Sequence, residues 1–92
     1  MAIGILIEIP GGTQKHYDKV MDKLQLGGKP APGGIFHVAG PMEGGWRVVD
    51  VWESKEAFDH FFKTKLGKAI QEAGVPPFQP KVFPVHNTLQ AA

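Results

Sequence analysis

Apolar residues occur with two different periods along this chain, and the switches between them outline its elements. Ile3, Ile5, Ile7 and Ile9 alternate with Gly4, Leu6 and Glu8, which predicts a first strand over residues 2–9. Pro10-Gly11-Gly12 ends it, and Thr13 is placed to cap a helix. Tyr17, Val20, Met21 and Leu24 then recur at helical spacing through residues 14–26, with Gly27-Gly28 as the expected stop. A Pro- and Gly-bearing loop follows, then a strand from about Gly34 to Gly40. A hairpin connection at Pro41–Gly45 leads to a third strand from Trp46 to Glu53. Ser54 offers an N-cap to a second helix carrying Phe58, Phe61, Phe62, Leu66 and Ile70, which Gly67 is expected to break or kink. Gly74-Val75-Pro76-Pro77 stops it. A fourth strand is expected from Lys81 to about Thr88, with Pro84 allowing only an edge position.

The order β-α-β-β-α-β, with a hairpin between two crossovers, predicts the ferredoxin-like arrangement of an α+β domain. It is a four-stranded antiparallel sheet with two helices on one face. Residues 1–92 read as a single domain of this kind. The first strand is apolar on both faces apart from Glu8, and the third carries Val49 and Val51 on one face with Trp46, Val48 and Trp52 on the other. Two helices cover one face only, so the second implies a homodimer packed sheet against sheet.

Composition narrows the function classes. A net charge of +1 and no basic run argue against nucleic acid. The absence of cysteine excludes disulfides, thiolate metal sites and a cysteine nucleophile. The apolar stretch Ala2–Ile9 is too short to span a bilayer and does not read as a signal peptide, so no membrane partner is expected and cytoplasm is the expected compartment.

The third strand holds the candidate chemistry. Asp50 lies between Trp46 and Trp52 on one strand face. A two-residue turn at Glu43-Gly44 sets Met42 opposite Gly45, and counting back puts His37 opposite Asp50 and Ile35 opposite Trp52. Directly opposed residues have Cβ atoms about 5 Å apart, within reach of an imidazole–carboxylate hydrogen bond. His37 would then act as acid or base, Asp50 would orient it, and the tryptophans would wall a planar substrate. A His–Asp pair on a sheet also forms as an ordinary satisfied polar contact. His86 and Asn87 are alternative polar groups near the last strand. Tyr17 lies on the first helix's apolar stripe, as core packing or as a pocket hydroxyl. His16 and His60 are expected in solvent, and Arg47 on the face opposite Asp50. Glu8 either ends its strand in solvent or joins His37 and Asp50. No tight ligand spacing suggests a metal.

This β-α-β-β-α-β layout, with a strand running Val51-Trp52-Glu53-Ser54-Lys55-Glu56-Ala57-Phe58, resembles the dimeric α+β barrel superfamily, and most of all its antibiotic-biosynthesis-monooxygenase branch. The resemblance implies that Trp52 lines a pocket between sheet and helices, with Phe58 and Trp46 among the substrate contacts. The branch's pocket asparagine, four residues before the tryptophan, is Val48 here, and its tyrosine six residues after is Phe58. In the related haem-degrading branch a helix tryptophan would fall at Phe61 and the iron-ligating histidine at Gln71, so haem is not expected. The implied function is binding of a planar organic molecule without metal or organic cofactor. It extends to cofactor-free monooxygenase, isomerase, cyclase or lyase chemistry, with a non-catalytic ligand-binding or structural dimer as the alternative.

Overall fold

A computed structural model describes residues 1–91. The elements run β1 (Ile3–Pro10), α1 (Gln14–Leu24), β2 (Gly34–Met42), β3 (Gly45–Trp52), α2 (Lys55–Phe61), a π-helical turn (Phe62–Leu66), α3 (Gly67–Ala73) and β4 (Lys81–Pro84). The strands form one sheet in the order β2-β3-β1-β4, with every neighbouring pair antiparallel. This is the predicted ferredoxin-like α+β sheet, with β4 on an edge, where Pro84 costs no internal ladder bond.

The helices cover the face that carries Ile3, Ile5, Ile7 and Ile9 of β1 and Trp46, Val48 and Trp52 of β3. These pack with Val20, Leu24, Phe58, Phe61, Ala69 and Ala73 into one core, in which Ile5 is wholly buried. The hairpin pairs Met42 with Gly45 and Pro41 with Trp46, so the register counted from the turn holds and His37 faces Asp50. Near its start β2 departs from expectation. A bulge between Gly34 and Phe36 leaves Ile35 unpaired and sets Gly34, not Ile35, opposite Trp52. Phe36 and Val38, on the far side of the sheet from the helices, stand opposite Val51 and Val49, as the turn register sets them.

Both helix starts follow the caps read from sequence. The Ser54 hydroxyl accepts from the Ala57 N–H at 3.1 Å. Thr13 accepts from the His16 N–H at 3.1 Å, while His16 Nδ1 takes the Thr13 N–H at 3.2 Å, so an imidazole completes a reciprocal cap. The stop of α1 differs from expectation. Gln25 adopts the left-handed conformation (φ 54°) and closes the helix before Gly27, its N–H returning to Met21 O. Gly67 does not break the second helix. Instead the rod widens into a π turn, with the Gly67 N–H bonded to Phe62 O. The apolar stripe explains why. Four residues after buried Phe61 comes Lys65, which a regular α-turn would aim at the core; the wider turn brings half-buried Leu66 there and leaves Lys65 in solvent. The fourth strand ends at Pro84 rather than Thr88. Beyond it the Val85 N–H bonds Ala2 O at 3.0 Å.

On the uncovered face Val49 lies between Leu6 and Val38. Phe83 packs over Gly4 there, and Phe36, Val38 and Phe83 are each about half exposed. Glu8 is on this face as well, opposite Arg47. It accepts from Arg47 Nε at 3.0 Å and lies 3.9 Å from Lys81 Nζ, so it joins neither His37 nor Asp50.

Candidate active site

Strand alternation sends Trp46, Val48, Asp50 and Trp52 to the helix side of β3 and His37 to the same side of β2. The first helix crosses above them and contributes Tyr17. The result is a hydrogen-bonded chain through four side chains. Trp52 Nε1 donates to Asp50 Oδ2 at 3.2 Å. Asp50 Oδ1 meets His37 Nδ1 at 2.5 Å, and His37 Nε2 meets the Tyr17 hydroxyl at 2.6 Å.

Donor logic fixes the direction of this chain. An ionised carboxylate only accepts, so His37 Nδ1 carries a proton. With the imidazole neutral, Nε2 is bare and the Tyr17 hydroxyl donates to it; with the imidazole protonated, Nε2–H donates to the Tyr17 oxygen. Asp50 is buried, 7 % exposed, whereas the His37 side chain is one-third exposed near the sheet edge. Burial of Tyr17, followed by the charges of Asp50 and Asp18, pushes its phenol above the usual tyrosine value of 10.0. It therefore stays an O–H at neutral pH.

The chain borders a cavity of about 110 Å³ between sheet and helices. Its walls include Ile7, Val20, Met21, Trp46, Trp52 and Phe61, with Tyr17, His37 and Asp50 as the polar side and the capped pair Thr13 and His16 also lining it. No lysine or arginine is among the lining residues. Tyr17 lies against Trp46 (centroids 5.4 Å apart) and stacks on His37 (5.8 Å). The Trp46 indole N–H is buried without an acceptor.

Five of the seven residues singled out from sequence meet here: His37, Asp50, Trp46, Trp52 and Tyr17. The other two do not. Phe58 is buried behind Trp52, its ring edge-on to that indole at 5.4 Å, and does not line the cavity. His86 is exposed past the end of β4, away from the cavity, because the strand stops before reaching it. Sequence reasoning missed the link between Tyr17 and His37. The phenol occupies the imidazole nitrogen that Asp50 leaves open. Sequence reasoning also missed His16, whose helix-capping role was visible in the Thr13-x-x-His16 spacing. Among the described residues no three of His, Asp and Glu come together in a group that could hold a metal ion.

Tyr17 is the chain's single tyrosine, which makes its titration directly readable. Phenolate absorbance at 295 nm should rise with a midpoint above 10, and Asp50→Asn should lower that midpoint by removing one of the charges that raise it. A phenol that is bound more tightly to its proton when folded supports stability fully below pH 10, and that support is lost as pH climbs through the raised value. Tyr17→Phe should be insensitive to this alkaline loss, and an identical alkaline unfolding profile in the variant would contradict the assignment.

No family model matches this sequence, and no curated protein is significantly similar to it. Solved structures are. SnoaB, a cofactor-independent oxygenase from Streptomyces nogalater, aligns over 98 % of this chain and 97 % of its own with a TM-score of 0.62 and 14 % identity. A structure from Deinococcus radiodurans, assigned by inference as an antibiotic biosynthesis monooxygenase, aligns over 100 % and 99 % with a TM-score of 0.64 and 11 % identity. One from Chloroflexus aurantiacus with the same inferred assignment aligns over 96 % and 97 % with a TM-score of 0.60 and 18 % identity. The chain has the fold of the antibiotic-biosynthesis-monooxygenase structures, as the strand-three resemblance implied. Among the described residues no helix is long and apolar enough to cross a membrane.

Proposed function

We propose that this protein is a homodimer that binds a planar organic molecule in the cavity beside Trp52 and Trp46 and moves a proton on it through Tyr17, His37 and Asp50. The observation that carries this reading is the coincidence of a hydrogen-bonded phenol–imidazole–carboxylate chain with an apolar cavity on the same side of the sheet. A small set of convergent polar groups on the wall of an apolar cavity is the usual composition of a small-molecule site. With the imidazole neutral, the hydroxyl passes its own proton to Nε2 as it takes one from an activated C–H or O–H of the substrate. Asp50 then faces the imidazolium that results. The substrate anion so formed is electron-rich. Returning the proton at another carbon gives isomerisation, and reaction of the anion with dioxygen gives oxygenation. The fold shared with a cofactor-independent oxygenase supports including the second route.

The dimer reading rests on the half-exposed Phe36, Val38 and Phe83 around Val49 on the uncovered face. Sheet-to-sheet pairing there leaves the helix-side cavity of each subunit intact.

Deuterium exchange of an activated C–H, such as that of a 1,3-diketone, followed by proton NMR in D2O, tests the catalytic part. The intact protein should accelerate exchange, and His37→Ala and Asp50→Asn should each reduce the acceleration by about 10²-fold or more. Exchange in both variants as fast as in the intact protein would remove the proposed relay. The three polar groups also satisfy one another in the absence of ligand, which favours binding without turnover as the second reading. That reading predicts saturable binding and no accelerated exchange in any form of the protein.

A further inference from the structure

The hydrogen-bonding capacity of the cavity wall narrows the ligand. Both oxygens of Asp50 are engaged, one by His37 and one by Trp52. Both ring nitrogens of His37 are engaged, by Asp50 and by Tyr17. His16 and Thr13 are bonded to each other in the helix cap. The Trp46 N–H has no partner, but its nitrogen is sealed from any entering molecule. A phenolic hydroxyl has one donor and two acceptor sites, and His37 uses one of these. Within the relay, Tyr17 keeps one acceptor site to spare, and the remaining lone pairs of Asp50 belong to a buried side chain already held by His37 and Trp52.

The other limits come from charge and volume. With no lysine or arginine in the lining, and with the Asp50 carboxylate nearby, an anionic ligand would be desolvated with no counter-charge. An engineered apolar cavity of about 150 Å³ holds one benzene; this one measures about 110 Å³. The space within the walls is therefore on the scale of a single ring, and a fused polycycle would need the helices to move apart.

We propose that the ligand is a neutral, one-ring molecule bearing a hydroxyl, which donates to the oxygen of Tyr17 while Tyr17 donates to His37. This rests on the cavity being the ligand site, as proposed above, and narrows the class of molecule it takes. The hydroxyl polarity follows from the Asp50–His37 contact. Nδ1 carries the proton there, so a neutral imidazole turns the Tyr17 hydrogen toward itself and leaves an oxygen lone pair for the ligand.

Calorimetry at pH 8.5 tests this with five probes. Ethylbenzene reports the apolar cavity alone. 4-Ethylphenol should bind about five- to tenfold tighter, the effect of one net hydrogen bond. Acetophenone, an acceptor only, should gain nothing over ethylbenzene, 4-ethylbenzoate should bind on the order of tenfold more weakly, and hydroxyanthracene should not enter. In Tyr17→Phe the phenol and ethylbenzene affinities should converge within about a factor of two. A phenol advantage that survives Tyr17→Phe, and is instead abolished by His16→Ala, would assign the contact to His16 and overturn the proposal. So would benzoate binding as tightly as the phenol, or hydroxyanthracene binding more tightly than it. Ethylbenzene binding without any preference among the polar probes overturns this inference while leaving the cavity as a ligand site. No binding by any of the five overturns both.

Discussion

Trp52→Ala is expected to lower the unfolding free energy by about 4 kcal/mol, the upper part of the range for deleting a large aromatic from a core. Trp52 is 4 % exposed and packs against both Phe58 and Phe61, with ring centroids 5.4 and 5.5 Å away. Its indole is also the donor to Asp50 Oδ2, so alanine leaves a buried carboxylate oxygen short of a partner as well as a void. A domain of this size has only about 5–15 kcal/mol in total, so the variant should sit near the edge of folding. Trp52→Phe separates the two contributions. It keeps most of the packing and loses the N–H, and should cost about 1–2 kcal/mol. Urea unfolding followed by far-UV circular dichroism, at one fixed protein concentration, measures both. Equal losses for Ala and Phe would mean that the hydrogen bond to Asp50 dominates and that the packing argument is wrong.

Val49→Asp is expected to convert the proposed dimer into a folded monomer, raising the dissociation constant at least a hundredfold. Val49 is central on the uncovered face, between Leu6 of β1 and Val38 of β2. In a two-fold interface each substitution occurs twice, so two carboxylates would enter an apolar contact together. In the monomer the same side chain lies on an uncovered face, and the cost is limited to strand propensity, about 1 kcal/mol or less. Analytical ultracentrifugation across a concentration series reads the outcome. The unmodified protein should sediment at twice the chain mass and the variant at the single mass, with an unchanged circular dichroism spectrum. A variant that stays dimeric would place the contact elsewhere, and an unmodified protein that is monomeric at high concentration would remove the dimer altogether.

The features legible in the sequence share one property: they depend on residues close together in the chain. The isoleucine alternation of β1, the Thr13 and Ser54 caps and the tight Glu43-Gly44 turn are all local, and the turn carries the register along both strands to His37 and Asp50. Misjudged features depended on competition between local preference and packing. Glycines at 27 and 28 are the better left-handed formers, yet α1 closes at Gln25. Gly67 is a poor helix residue, yet the need to turn Leu66 rather than Lys65 inward keeps the helix running through a π turn. The bulge at Ile35 shifts the pairing beside Trp52, a change that strand periodicity gives no hint of.

By itself the sequence determined the order of elements, the sheet they form, and the meeting of an imidazole with a carboxylate between two tryptophans. Periodicity and turn length act over a few residues and leave little freedom there. Tertiary structure alone decided that Tyr17 reaches His37 Nε2, that His86 and Phe58 lie off the cavity, and that Glu8 joins Arg47 on the other side of the sheet. These outcomes turn on how a helix settles across a twisted sheet. That placement is set by the summed packing of the whole core, and no short segment of the chain encodes it.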